Sequence, residues 1–181
     1  MVNRRHFVLA GAVLAGGAGL PGAAFAAPKQ KIIYGGTVTR AQVMARAYDW
    51  LTRRVRYSQD NGRPVWDVNR GRRYRPDCSG FVCMALAIDP RDPRYGRALV
   101  TWELPRVCTP IEWSELLPGD ILLHVNPKRR GNDHVRLFEV WLDAAKTRAT
   151  VVEASSKAGA MTRKTVTVDP LYRPFRYRHI V

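Results

Sequence analysis

The last third of the chain reads as one strand after another, and that succession limits the fold more than any other feature. Ile121 to Val125 is a short apolar run entered through Pro118-Gly119-Asp120. Val135 to Leu142 has strand composition and loosely alternates. Ala149 to Ala154 and Thr165 to Val168 read as further strands, and Tyr172 to Val181 is expected to close the sheet. The helical signals come earlier. From Arg40 to Arg54, the apolar positions Val43, Met44, Ala47, Tyr48 and Leu51 recur at helical spacing with arginines between them. Ser79 to Ile88 is a compact apolar helix stopped by Asp89-Pro90. Helices first and strands after them imply an α+β fold, with N-terminal helices packed on a central antiparallel sheet.

Two irregular stretches interrupt this order: Tyr57 to Arg75, rich in Gly, Pro, Asn, Asp and Arg, and Asp89 to Pro110. With 181 residues, 46% of them hydrophobic, and only three cysteines, the chain suits one ordinary core and is neither disordered, collagenous nor a disulfide-stapled miniature. Residues 1–26 read as an export signal. Arg4-Arg5 precedes a Gly- and Ala-rich stretch from Phe7 to about Leu20, and Ala24-Phe25-Ala26 offers the small residues of a cleavage site. That stretch is too short and too weakly apolar to span a bilayer. Its paired arginines and mild core resemble a twin-arginine signal. Residues 27–39 follow as a loose lead-in and 40–181 as a single domain, expected to work outside the cytoplasm.

Thirty Lys and Arg against fifteen Asp and Glu give a net charge of +15, and +13 remains once residues 1–26 are removed. A large partner is therefore expected to be anionic. The basic residues are spread along the chain (Arg53-Arg54, Arg72-Arg73, Lys128-Arg129-Arg130, Arg173 to Arg178) and accompany no recognition module for nucleic acid. An anionic cell-wall polymer or the headgroups of a membrane surface fit better, with ordinary solvated surface as the plainer reading. No cofactor is implied, and no Cys or His pair has the short spacing that chelates a metal.

The candidate chemistry centres on Asp77-Cys78-Ser79-Gly80-Phe81-Val82. Cys78 follows Pro-Asp and opens a helix, where the helix dipole favours the thiolate over the thiol. Ser79 and Gly80 are small, so backbone N–H groups stay open to a substrate oxygen, as an oxyanion hole requires. A buried inert thiol or half of a disulfide is the alternative. A thiolate nucleophile needs a base that later protonates the leaving amine. Downstream of the signal there are three histidines. His134 stands at the mouth of a strand, His124 lies inside an apolar strand as a structural or rim residue, and His179 is in the C-terminal tail.

Asp-Cys-Ser-Gly-Phe-Val opening a helix, then Leu117-Pro118-Gly119-Asp120-Ile121, then Asp133-His134-Val135 starting a strand, resembles the ordered signature of the NlpC-type cysteine peptidases. The resemblance covers Arg40 to Ala158, about two-thirds of the chain. It implies a papain-like NlpC-type fold and cleavage of peptide bonds in peptidoglycan stem peptides, with Cys78 as nucleophile and His134 as base. It also places Tyr57, upstream of the cysteine, at the oxyanion beside the Cys78 and Ser79 amides. The family's third polar residue is usually another histidine, and here Glu153 takes that place. A carboxylate there would fix the histidine tautomer and favour the imidazolium, unless Glu153 is a salt-bridged surface residue. Asp133 is the poorer candidate, because adjacent strand side chains point to opposite faces. Arg136 stands where the family has glycine, the Gly-Gly pair after the upstream tyrosine is absent, and the basic insertion Arg63 to Arg75 occupies the approach to Cys78. Another amide or acyl substrate, or a non-catalytic wall-binding protein that keeps the fold, are the competing readings. The odd cysteine count suits one bridge, Cys83–Cys108, with Cys78 free, or else three unpaired thiols.

Overall fold

Thr39 opens the first helix with a reciprocal cap. The Gln42 amide N–H donates to Thr39 Oγ1 at 3.2 Å and the Thr39 N–H donates to Gln42 Oε1 at 2.8 Å. The helix, α1, runs Arg40–Thr52 and buries Val43, Arg46, Ala47 and Trp50, spaced three and four residues apart along one face. In this computed structural model residues 31–95, 97–126 and 132–181 are described. The export signal at 1–26 and the run Lys128-Arg129-Arg130 lie outside the described residues.

A second helix, α2, spans Cys78–Ala85, every residue of it buried. It begins one residue earlier and ends three earlier than the apolar run suggests. The reason is a Schellman stop. The Ile88 N–H donates to the Cys83 carbonyl at 2.9 Å and the Ala87 N–H to the Met84 carbonyl at 3.2 Å, which puts Ala87 at φ +53°. That left-handed position usually carries glycine, so alanine gives no stop signal in the sequence. The exposed carbonyls are taken up from outside: Tyr74 Oη donates to Ile88 O at 3.0 Å and the Gly35 N–H to Ala87 O at 2.8 Å.

Among the described residues eight strands form two sheets. In the basic insertion β1 (Val65–Trp66) pairs with β2 (Arg73–Tyr74), so Tyr57 to Arg75 is an irregular stretch with a short ribbon inside it. Its anchor is Asp67, which is buried, accepts from Tyr34 Oη at 2.6 Å and lies 3.1 Å from the Arg46 guanidinium. Tyr34 belongs to the stretch expected as a loose lead-in, whose described part is tied down at Tyr34 and Val38. Val38 is buried, and its N–H and carbonyl bond His179 and Val181 at 2.9 and 3.0 Å.

The main sheet contains β3 (Cys108–Pro110), β4 (Ile121–His124), β5 (His134–Trp141), β6 (Arg148–Ser155), β7 (Ala160–Thr167) and β8 (Arg173–Tyr177), in the order β3-β8-β4-β5-β6-β7. Every neighbouring pair is antiparallel, so the chain has the expected α+β class. Two details differ from expectation. The second irregular stretch supplies an edge strand, β3, and β8 lies between β3 and β4 in the sheet interior instead of closing an edge.

Alternation along the strands divides two apolar layers. Ile121, Leu123, Val135, Leu137, Val152 and Ala154 meet Trp50, Phe81 and the rest of the helices, whereas Leu122, Phe138, Val151 and Tyr172 form a smaller cluster with Trp113 and Trp141. Helix α2 lies against β5 and β6, with α1 packed on α2 and β7. The Leu117–Ile121 segment joins helix to sheet. Gly119 adopts φ +92°, a left-handed conformation that favours glycine, in tight quarters beside Val43 and Ile180, and the buried Asp120 carboxylate is 3.0 Å from Arg40 and 2.8 Å from Arg176.

Candidate active site

Asp77 sets the position of the candidate nucleophile. Its carboxylate caps α2 by accepting from the Gly80 N–H at 2.8 Å and from Ser79 Oγ at 3.2 Å, and it is held by Arg75 Nε at 2.8 Å. Gly80 is required here, since a Cβ would come within 1.8 Å of the Arg75 carbonyl oxygen. Cys78 is therefore the first residue of a tightly built helix start. Its own amide and that of Ser79 have no carbonyl one turn back to bond. The Ser79 side chain is buried in the cap, so whatever Ser79 offers a substrate comes from its backbone.

The structure brings Cys78, His134 and Glu153 together from three elements. His134 opens β5, and its Nε2 lies 3.0 Å from Glu153 Oε2 on β6. Glu153 is only 1% exposed and is surrounded by cations. Lys164 Nζ on β7 lies 2.6 Å from Oε1, and Arg136 Nε lies 2.8 Å from the same Oε2 that His134 uses. Burial alone would raise the Glu153 pKa. Hydrogen bonds from His134 and Lys164, with the charges of His134 and Arg136, outweigh it and hold the carboxyl at about 2. For His134, burial opposes the charged ring, but hydrogen bonding to Cys78 and Glu153 wins and the pKa is pushed up to about 9. With Nε2 given to Glu153, Nδ1 is the ring nitrogen left for the Cys78 sulfur.

Tyr57 is half-buried beside this group. Burial, then the nearby Cys78 and Asp77, raise its phenol pKa, and its Oη accepts from Gln59 Nε2 at 3.1 Å. His124 sits opposite His134 in the strand register, and Tyr172 lies near both rings, 5.5 and 6.4 Å between centroids. His179 is remote, with Nδ1 3.0 Å from Gly35 O. Asp133 points elsewhere and accepts from the Asn126 N–H at 2.8 Å.

Two neighbours, Thr101 and Lys164, had no signal in the sequence, and a third, Arg136, had a signal but no role. Thr101 Oγ1 lies 3.5 Å from Cys78 Sγ. Lys164 reaches Glu153 only because of the β6–β7 register, in which Glu153 pairs with Thr162. Arg136, visible as a departure, turns out to stack on Tyr172 at 4.1 Å while pairing with Glu153. The expected Cys83–Cys108 bridge is not made: all three cysteines are free and buried. Cys83 is packed in the helix core, with Sγ 3.9 Å from the Leu99 carbonyl, and Cys108 is in β3. Among the described residues no group of three or more His, Cys, Asp and Glu side chains is placed to hold a metal ion, and no helix is long and apolar enough to cross a membrane.

No family model matches the chain, and no curated protein matches it. Among solved structures it is similar to the peptidoglycan hydrolase RipB from Mycobacterium tuberculosis. The two are 22% identical over 78% of this chain and 67% of that one, with a TM-score of 0.47.

Proposed function

We propose that the protein is an exported cysteine hydrolase that cleaves peptide bonds in peptidoglycan stem peptides. The observation that carries this reading is the grouping of Cys78, first residue of α2, with His134, first residue of β5, whose Nε2 lies 3.0 Å from the buried Glu153 carboxylate. A buried structural histidine has no need of a thiol on one side and a carboxylate on the other. In the proposed reaction His134 already holds the proton given up by Cys78, and the Sγ thiolate bonds to the scissile carbonyl carbon, whose oxygen takes the displaced electron pair. Tyr57 and the Cys78 and Ser79 amides face that oxygen. The intermediate collapses with loss of the C–N bond, and His134 gives its proton to the departing amine. Water, deprotonated by His134, then splits the thioester and releases the acid. Glu153 keeps the ring in one orientation throughout.

The substrate class rests on the motif order around Cys78, Asp120 and His134, and on charge. Wall polymers carry carboxylates and phosphates, and a chain at +13 after signal removal would be drawn to them in a salt-sensitive way. The test is incubation of the protein lacking 1–26, and of its Cys78→Ala variant, with purified sacculi. New amino termini and released muropeptides are followed by mass spectrometry. Release by the first and none by the second is expected. Equal release by both would remove Cys78 from the reaction, and no release by either would remove the wall substrate.

A further inference from the structure

Cys78 is 6% exposed and Thr101 5% exposed, and their Sγ and Oγ1 atoms lie 3.5 Å apart. A buried hydroxyl keeps its proton in a hydrogen bond. Among the described residues the sulfur is the partner that Thr101 Oγ1 has. A neutral thiol is a weak acceptor and a thiolate a strong one, so such a bond gains strength when the sulfur ionises.

The placement of Thr101 is well secured. It is the first residue of a short 3₁₀ segment, Thr101–Arg106, that follows the extended Val100. Two residues on, the buried Glu103 locks that segment. Its Oε2 accepts from the Val100 N–H at 3.1 Å and from Arg97 Nη1 at 2.8 Å, and its Oε1 accepts from Arg106 Nη1 at 3.3 Å. Leu99 and Leu104 on either side are buried in the core shared with α2. This support is independent of β5 and β6, which carry His134 and Glu153. The sulfur therefore has an imidazole from the sheet and a hydroxyl from the 97–106 segment.

We propose that Thr101 is a further catalytic residue, whose hydroxyl donates to the Cys78 thiolate and holds it charged and aimed at the substrate carbonyl. The inference rests on the hydrolase reading above. Thr101 transfers no proton: the thiol proton goes to His134, and the Thr101 hydrogen bond weakens as the sulfur electron pair enters the new S–C bond. It re-forms when the thioester is split.

The test uses Thr101→Val, which keeps the side-chain shape without the hydroxyl, and Thr101→Ser, which restores it. The rate of Cys78 alkylation by iodoacetamide is measured against pH, alongside muropeptide release from sacculi. A hydrogen bond to a charged group corresponds to a displacement of about one pH unit or more. Thr101→Val should move the midpoint of the alkylation profile up by that amount and slow release about tenfold, with both recovered in Thr101→Ser. Thr101→Ala, smaller and also without the hydroxyl, should show the same displacement if steric fit is not its cause. A Thr101→Val profile that superimposes on the wild type, or moves to lower pH, overturns the proposal, the latter because the hydroxyl would then be accepting from the thiol. The two readings separate cleanly. A displaced profile in a protein that leaves sacculi intact supports the Thr101 bond and overturns the wall substrate. Active wild type with an unmoved profile does the reverse.

Discussion

Replacing Glu153 by glutamine removes one negative charge from the centre of three positive ones. The carboxylate lies 3.0 Å from His134 Nε2, 2.8 Å from Arg136 Nε and 2.6 Å from Lys164 Nζ. His134 keeps its proton up to about 9 against an ordinary 6.5, a preference of roughly 3 kcal/mol. Burial opposes that preference, Cys78 is its first support and Glu153 its second. In Glu153→Gln the support from Glu153 goes, while burial stays and Arg136 and Lys164 are left uncompensated beside the ring. The His134 titration midpoint should therefore fall by at least about one pH unit. Removing one partner of a buried ion pair also costs about 3 kcal/mol of folding stability. The assay is an NMR titration of the ring protons in wild type and variant, repeated with Cys78→Ala in both to separate the thiol from the carboxylate. A His134 midpoint that stays at about 9 in Glu153→Gln would refute the reasoning, because the carboxylate would then have no hold on the ring.

Stability should depend on pH in a defined window. His134 has a raised folded pKa, so its contribution is complete below about 6.5 and is lost as pH rises through about 9. Glu153 has a depressed one, so its contribution is complete above about 4.5 and is lost as pH falls through about 2. The difference in unfolding free energy between wild type and His134→Ala should be greatest between those inner limits in urea titrations, and a flat difference would contradict the pairing. Gly80→Ala should cost about 3 kcal/mol or more in the same assay, since its Cβ would meet backbone at 1.8 Å, and a neutral result would mean the α2 start is looser than it looks. Thiol counting should find three reactive groups after unfolding without reductant. Only one would be found if Cys83 and Cys108 were bridged. In the folded protein Cys83 and Cys108 should label slowly, because burial drives both thiol pKa values up, that of Cys108 to about 12.

What the sequence showed well were features set by a few adjacent residues. Val43 and Ala47 mark the buried face of α1, Asp77 before Cys-Ser-Gly marks the start of α2, and apolar runs mark β4, β5 and β6. What it hid depended on distant partners. The end of α2 turns on an alanine in a conformation that favours glycine, stabilised by Tyr74 and Gly35. β3 is three residues long, includes Pro110, and exists through its pairing with β8. That β8 lies inside the sheet follows from strand order, which alternation along one strand does not encode. Among the site residues, Cys78 and His134 stood out because each sits at an element boundary inside a motif. Glu153 could be placed only by resemblance. Thr101 and Lys164 come from segments with no motif, and reach the site through the Glu103 ion pairs and the β6–β7 register. Arg46 runs against its pattern, a charged residue on the apolar face of α1, stabilised by Asp67 and the Met84 carbonyl.

The central claim is that Cys78 and His134 act as one charged pair, and its most direct test is the alkylation rate of Cys78 at pH 6.5 in wild type and His134→Ala. An ordinary thiol is almost wholly protonated there, with about one molecule in a hundred ionised. Labelling should be rapid in the wild type and at least about tenfold slower once the ring is removed, with Cys78 identified as the labelled residue by peptide mass. Equal and slow labelling of both proteins would contradict the claim and leave Cys78 an inert core thiol.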